Sequence, residues 1–134
     1  MWTAGWGMQE REDLNDRTKA YTKRVMRLVD SLPQGRTAEA LSKQLLHSAT
    51  SVGAHYRSAC RANSTDDFIA KMGIVEADAN DCLYWMELLV ESGLVAEKKL
   101  TSLIEEGNAL IAITTASINT ARQRTASPQP TQNR

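Results

Sequence analysis

A chain of 134 residues is long enough for one domain with a single core, and nothing in its length calls for a second. Its sixteen basic and sixteen acidic residues cancel, which excludes the overall positive excess of a protein that coats nucleic acid with its whole surface. No apolar run approaches the roughly 18 to 20 residues of a membrane span, and two cysteines, Cys60 and Cys82, are too few for a disulfide framework, so reduced, buried thiols in a cytoplasmic protein are expected.

The chain opens with "MWTAGWGM", which lacks both a basic stretch and an apolar stretch and so does not read as a signal peptide. Residues 1–9 are expected to be a disordered extension, with Met8 a candidate true start; docking of Trp2 and Trp6 on the body is the alternative. Residues 10–124 then show helical spacing four times over and almost no strand signal. Helix A carries Leu14, Thr18, Tyr21, Val25, Leu28 and Leu32 and stops at "LPQGR", where Pro33 and Gly35 break the chain. Helix B, with Thr37 as its expected N-cap, carries Leu41, Leu45, Ser48, Val52, Tyr56 and Ala59.

After "NST", Ser64 and Asp67 form a capping-box-like start for helix C, whose stripe is the cleanest: Phe68, Met72, Val75, Ala79, Cys82, Met86 and Leu89. Gly93 is a good stop. Helix D carries Leu100, Leu103, Ile104, Leu110, Ile111, Thr114 and Ile118, and residues 125–134 read as a polar, Pro-containing, disordered tail. Four amphipathic helices with short connections predict an all-α, antiparallel up-and-down four-helix bundle.

Chemistry-bearing residues are sparse. Helix C holds Asp66, Asp67, Glu76, Asp78, Asp81, Glu87 and Glu91, but a di-iron bundle needs Glu-x-x-His on two helices, and neither His47 nor His55 has a Glu three residues before it. No phosphate loop and no nucleophile context occur, so no enzymatic activity, no cofactor and no metal are expected. From Arg36 to Arg61 there are four basic residues and one acidic, whereas from Asn63 to Ser92 there is one Lys against seven carboxylates. This contrast reads first as complementary neighbouring helices and second as a polyanion site.

Lys43, His47, Thr50, Ala54, Arg57 and Arg61 share one face of helix B, about 200° from Leu41 and Leu45. By residue chemistry alone, Arg57 and Arg61 read first as partners of helix C carboxylates, in the same or another subunit, and second as phosphate ligands. His55, beside the core stripe, reads as a hydrogen-bonded core residue, and Tyr84 and Trp85 as packing residues.

Helix C has a second stripe, Ile69, Gly73, Ala77, Asn80, Tyr84 and Leu88, lying about 100° to 200° around from Phe68. Small residues followed by Tyr and Leu suit a close-approach subunit contact, and the small outward residues Ser51, Ala54 and Ser58 of helix B suit the same purpose. Self-association through this surface is therefore expected.

Three stretches, "DRTKAYTKRVMRLVDSLP", "LSKQLLHSATSVGAHYRSACRA" and "DFIAKMGIVEADANDCLYWMELL", together resemble the four-helix-bundle proteins encoded in intervening sequences of bacterial 23S ribosomal RNA genes. More distantly the chain is similar to the accessory variability proteins of diversity-generating retroelements. The likeness covers about Leu14 to Ala121. It implies a small cytosolic bacterial bundle without assigned enzymatic activity, commonly a homo-oligomeric ring, with a pentamer suggested, and association with RNA, a ribonucleoprotein or a nucleic-acid enzyme. A scaffold or assembly factor that binds only protein is the alternative.

The basic positions of the family correspond here to Arg57, Arg61 and Lys71, which with Lys43 make the candidate nucleic-acid-binding set. The chain departs from the pattern at His47, where relatives usually have Arg, at His55, where Asn is usual, and at Asn80, where an acid is usual.

Overall fold

Glycine and serine at the connections set where the second and third helices begin and where the third ends. The structure, a computed structural model, describes residues 8–126. The expected extension before Met8 and most of the expected tail lie outside the described residues. Four helices occupy the rest: α1 (Met8–Ser31), α2 (Arg36–Ala59), α3 (Thr65–Glu91) and α4 (Glu97–Ala126).

The turn between α1 and α2 rests on Gly35, whose φ of 152° and ψ of 161° lie in a region open essentially to glycine alone. Gly35 also occupies the N-cap position of α2, with no side-chain capping bond, and its carbonyl accepts from Glu39 N. The expected N-cap at Thr37 is therefore corrected: the glycine geometry starts the helix at Arg36, which places Thr37 inside the first turn.

At α3 the expected cap is present. Ser64 Oγ accepts from Asp67 N at 3.1 Å, but the Asp67 carboxylate reaches back one residue further than in a capping box, accepting from Asn63 N at 3.0 Å. α3 ends in a Schellman motif at Gly93 (φ 76°), with Gly93 N bonded to Val90 O and Leu94 N to Leu89 O.

Connections of four to five residues force consecutive helices to run antiparallel, and cross-helix bonds fix their register. Thr22 Oγ1 on α1 reaches Ala49 O on α2 at 2.9 Å, and Tyr56 Oη reaches Arg11 O at 3.3 Å. His55 on α2 meets Asp78 on α3, Glu76 on α3 accepts from Thr115 on α4, and Arg17 on α1 grips Glu106 on α4 through two bonds of 2.7 and 3.0 Å. The helices pack in cyclic order, α1 against α2, α2 against α3, α3 against α4 and, most thinly, α4 against α1. The fold is thus a four-helix up-and-down bundle.

α3 is its centre of mass in packing. All seven residues of its expected stripe are at most 2 % exposed. Facing them are Tyr21 and Val25 of α1, Leu45, Val52 and Tyr56 of α2, and Leu100, Leu110 and Ile118 of α4. Each large side chain buried in this way contributes roughly 1.5–3 kcal/mol.

One polar group inside this core lacks a partner. The Tyr21 hydroxyl is fully enclosed and makes no well-formed hydrogen bond, its polar interaction being with the weakly bonding Cys82 thiol. Gly107 of α4 accommodates it, because a Cβ there would come within 3.1 Å of that hydroxyl and 3.0 Å of Leu83 Cδ2. A buried donor left unsatisfied costs about 1–3 kcal/mol. Tyr21→Phe should therefore raise stability to urea by about 1 kcal/mol; a loss of that size would show that the hydroxyl is satisfied after all.

Candidate nucleic-acid interface and assembly face

The stripe read from the sequence is fully outward: Lys43, His47, Thr50, Ala54 and Arg57 of α2 are all exposed, and so is Arg61, which lies in the turn after α2 rather than on the helix. Among the described residues three ion pairs occur, Arg17–Glu106, His55–Asp78 and Lys71–Asp67. Lys43, Arg57 and Arg61 belong to none of them. The expected pairing of Arg57 and Arg61 with α3 carboxylates thus does not occur within the chain. The reason is rotational: His55 occupies the flank of α2 that faces α3, whereas Arg57, two residues or about 200° on, points across the outer face toward α1. Lys71, also in the candidate set, is held by Asp67 at 3.1 Å, four residues back on its own helix.

His55 itself is hydrogen-bonded as expected, Nδ1 to Asp78 Oδ2 at 2.6 Å, but it is not a core residue, since its side chain is 44 % exposed.

The arrangement of α1 beside α2 adds two cations that the sequence reading did not include. A hollow of about 470 Å³ lies between these helices, and its walls include Lys19, Lys23 and Met26 of α1 and Gly53, Ala54 and Arg57 of α2. No carboxylate lines it. The only sequence signal was the four-residue spacing of Lys19 and Lys23 on the flank of the α1 stripe; their nearness to Arg57 follows from helix pairing.

Further along the same seam, toward the α1–α2 turn, lies a larger hollow of about 820 Å³. Val29, Leu32, Pro33 and Leu46 line it together with Arg36 and Lys43, and Glu39 is its one carboxylate.

On α3 the second stripe faces outward as read. Ala77, Asn80 and Tyr84 are exposed, while Ile69, Gly73 and Leu88 are half-buried. Tyr84 is 52 % exposed and is not packed into the core; its ring meets Trp85 edge-on, with centroids 5.0 Å apart. Ile74, which the sequence stripe omitted, is 47 % exposed and widens the apolar face. A Cβ on Gly73 would meet nothing within 4 Å, so no contact inside the chain requires glycine there. The α3 carboxylates flank this face, and none is buried.

A family description, that of the 23S rRNA-intervening sequence proteins, matches residues 12–116. The chain belongs to this family. Among solved structures it is similar to a protein of unknown function from the S23 ribosomal protein family of Bacteroides thetaiotaomicron. The two share 28 % identity over 81 % of this chain and 97 % of that one, with a TM-score of 0.75. No curated protein matches. The resemblance drawn from the three sequence stretches is therefore correct at the level of family and fold, and the family carries no established function. No helix of the described residues is long and apolar enough to cross a membrane.

Both cysteines of this 23S rRNA-intervening sequence protein are free. Burial pushes the Cys82 thiol up to about 12 despite an opposing interaction with Tyr21, and burial also raises Cys60, which is half-buried beside Tyr56. Tyr21 and Tyr56 are likewise raised, chiefly by burial. These are acids whose folded pKa lies above the unfolded value. Their contribution is intact below the unfolded pKa and fades as pH climbs through the folded one. For Cys82 the window runs from about 9 to about 12. Stability should fall across that window, and a neutral-pH thiol reagent should modify Cys82 only after unfolding. Rapid modification of both thiols in the native state would contradict this burial.

Proposed function

We propose that this family member binds RNA by its phosphate backbone, using Arg57 of α2 and Arg61 of the turn that follows it, together with Lys19 and Lys23 of α1. The observation that supports this most is a cationic seam with no internal neutralisation. Arg57 shares a hollow with two lysines, that hollow has no carboxylate in its walls, and neither arginine is ion-paired among the described residues. Arg offers a planar fork of donors to phosphate oxygens, and each contact releases a condensed counterion. The hollow has no aromatic wall on which a base could stack, so the reading is of backbone tracking with little sequence preference. The role is one of binding rather than catalysis, in the cytoplasm. Lys43 and Lys71 are subsidiary, the first because it lies about 21 Å along α2 from Arg57, the second because Asp67 already engages it.

The same reading includes self-assembly through α3, favoured by the half-exposed Ile74 and Tyr84. An oligomer would present several seams to one RNA, and linked sites bind more tightly than one alone. A protein-only scaffold, with the cationic seam idle, is the second reading.

For four phosphates per chain on single-stranded RNA, log affinity should fall with log salt at a slope of about −3. Fluorescence anisotropy with a labelled oligonucleotide measures this. Arg57→Glu with Arg61→Glu should abolish binding while circular dichroism stays unchanged. A wild type that fails to bind at low salt ends the RNA reading and leaves the scaffold.

A further inference from the structure

α3 ends in acids where its backbone favours bases. Glu91 is its last residue, Glu87 lies one turn earlier, and no basic residue stands in the last turn. Carboxylates there meet the negative end of the helix dipole, which weakens the helix rather than supporting it. None of the three ion pairs among the described residues involves them. Across the seam, Glu97 of α4 adds a third exposed carboxylate.

These acids rim a hollow of about 400 Å³ beside the α3–α4 connection. Its floor is apolar: Leu83 and Val90 of α3 and Ile104 of α4, all half-buried. No base stands in its walls. Apolar contact inside a charged rim is the anatomy of a protein-docking site, and a rim of one sign selects a partner of the other.

We propose that this α3–α4 hollow docks a basic, amphipathic segment of a partner protein. Its aliphatic side chains seat on Leu83, Val90 and Ile104, and its Lys or Arg groups face Glu87, Glu91 and Glu97.

The arrangement of the acids favours this occupant over a single cation. Glu87 and Glu91 stand about 6 Å apart along α3, with Glu97 on the other helix. Among the described residues no group of such side chains is close enough to hold a metal ion. Carboxylates spread in this way match positive groups spaced along a chain, and the apolar floor between them matches the side chains that separate those groups. Nucleic acid is excluded by sign. The cyclic order of the helices puts the α3–α4 hollow on the edge of the bundle opposite the α1–α2 seam, so the inference stands independently of the RNA reading. Both edges can be occupied at once.

The test is fluorescence anisotropy on the full chain with three labelled synthetic peptides of about fourteen residues, some four helical turns each. One combines Leu and Lys in an amphipathic pattern, one replaces its Leu by Ser, and one replaces its Lys by Glu. The Leu–Lys peptide should bind the wild type, the Ser–Lys peptide about tenfold more weakly, and the Leu–Glu peptide not at all. Glu87→Gln with Glu91→Gln should weaken the Leu–Lys peptide about tenfold. The same variant should melt at a higher temperature, because charge leaves the negative end of α3. Asp66→Asn with Asp81→Asn removes exposed α3 carboxylates outside the hollow and should leave the affinity unchanged.

A wild type that does not bind the Leu–Lys peptide overturns the proposal. So does equal binding of the Ser–Lys peptide, or displacement of the Leu–Lys peptide by spermine at matched charge, since either reduces the hollow to a general attraction for cations. Affinity lost in the Asp66/Asp81 variant and kept in the Glu87/Glu91 variant places the contact elsewhere on α3 and overturns it too.

Discussion

Burial of one face of α3 is the constraint on which the other elements depend. Phe68, Met72, Val75, Ala79, Cys82, Met86 and Leu89 run the length of the helix without a polar interruption and are almost fully enclosed. α2 and α4 pack on the two sides of that stripe, and α1 completes the square through α2, with only a thin contact to α4. Because one face of α3 is fixed inward, its other positions are fixed too. Ile74, Ala77 and Tyr84 have no internal place to go, and the carboxylates are distributed along the rim of the face they form. An apolar outer face on the best-packed helix is thus a consequence of the core rather than a departure from it.

A second consequence concerns charge. The seam between α2 and α3 is filled by small and apolar groups, with one His–Asp pair at its edge. Arg57 and Arg61 are turned outward, where α1 adds Lys19 and Lys23. The molecule carries no net charge, yet it presents a basic seam on α1–α2 and an acidic flank on α3. Separation of this kind matters for association, because charges left uncompensated in a chain are available to a partner. The buried tyrosines and cysteines belong to the core in the same sense: desolvation holds them neutral, and they are structural groups rather than reactive ones.

Most of the fold was legible because amphipathic helices state their period directly. The seven α3 residues were readable at 3.6-residue spacing, and Gly93 and Ser64 were readable as stop and start. Gly35 was readable as a break but not as the cap, since only its backbone angles show that α2 begins one residue after it. The candidate site was less legible. A helix wheel shows that Arg57 faces away from Leu45, but not which neighbour stands on each flank, so pairing with α3 acids and freedom from them looked alike. Lys19 and Lys23 were invisible as site residues for the same reason: their nearness to Arg57 is a fact about two helices, not one. Ile74 was missed because it sits at the margin of the outward stripe, where spacing alone does not separate exposed from covered.

The central claim is that cations left without a carboxylate partner when the bundle folds, Arg57 and Arg61 beside Lys19 and Lys23, are available to hold RNA phosphates. Titration of isotope-labelled protein with a short single-stranded RNA, followed by chemical shifts in NMR spectra, addresses it most directly. The account predicts shifts concentrated at Lys19, Lys23, Arg57 and Arg61. Shifts confined to α3, or none at low salt, would contradict it.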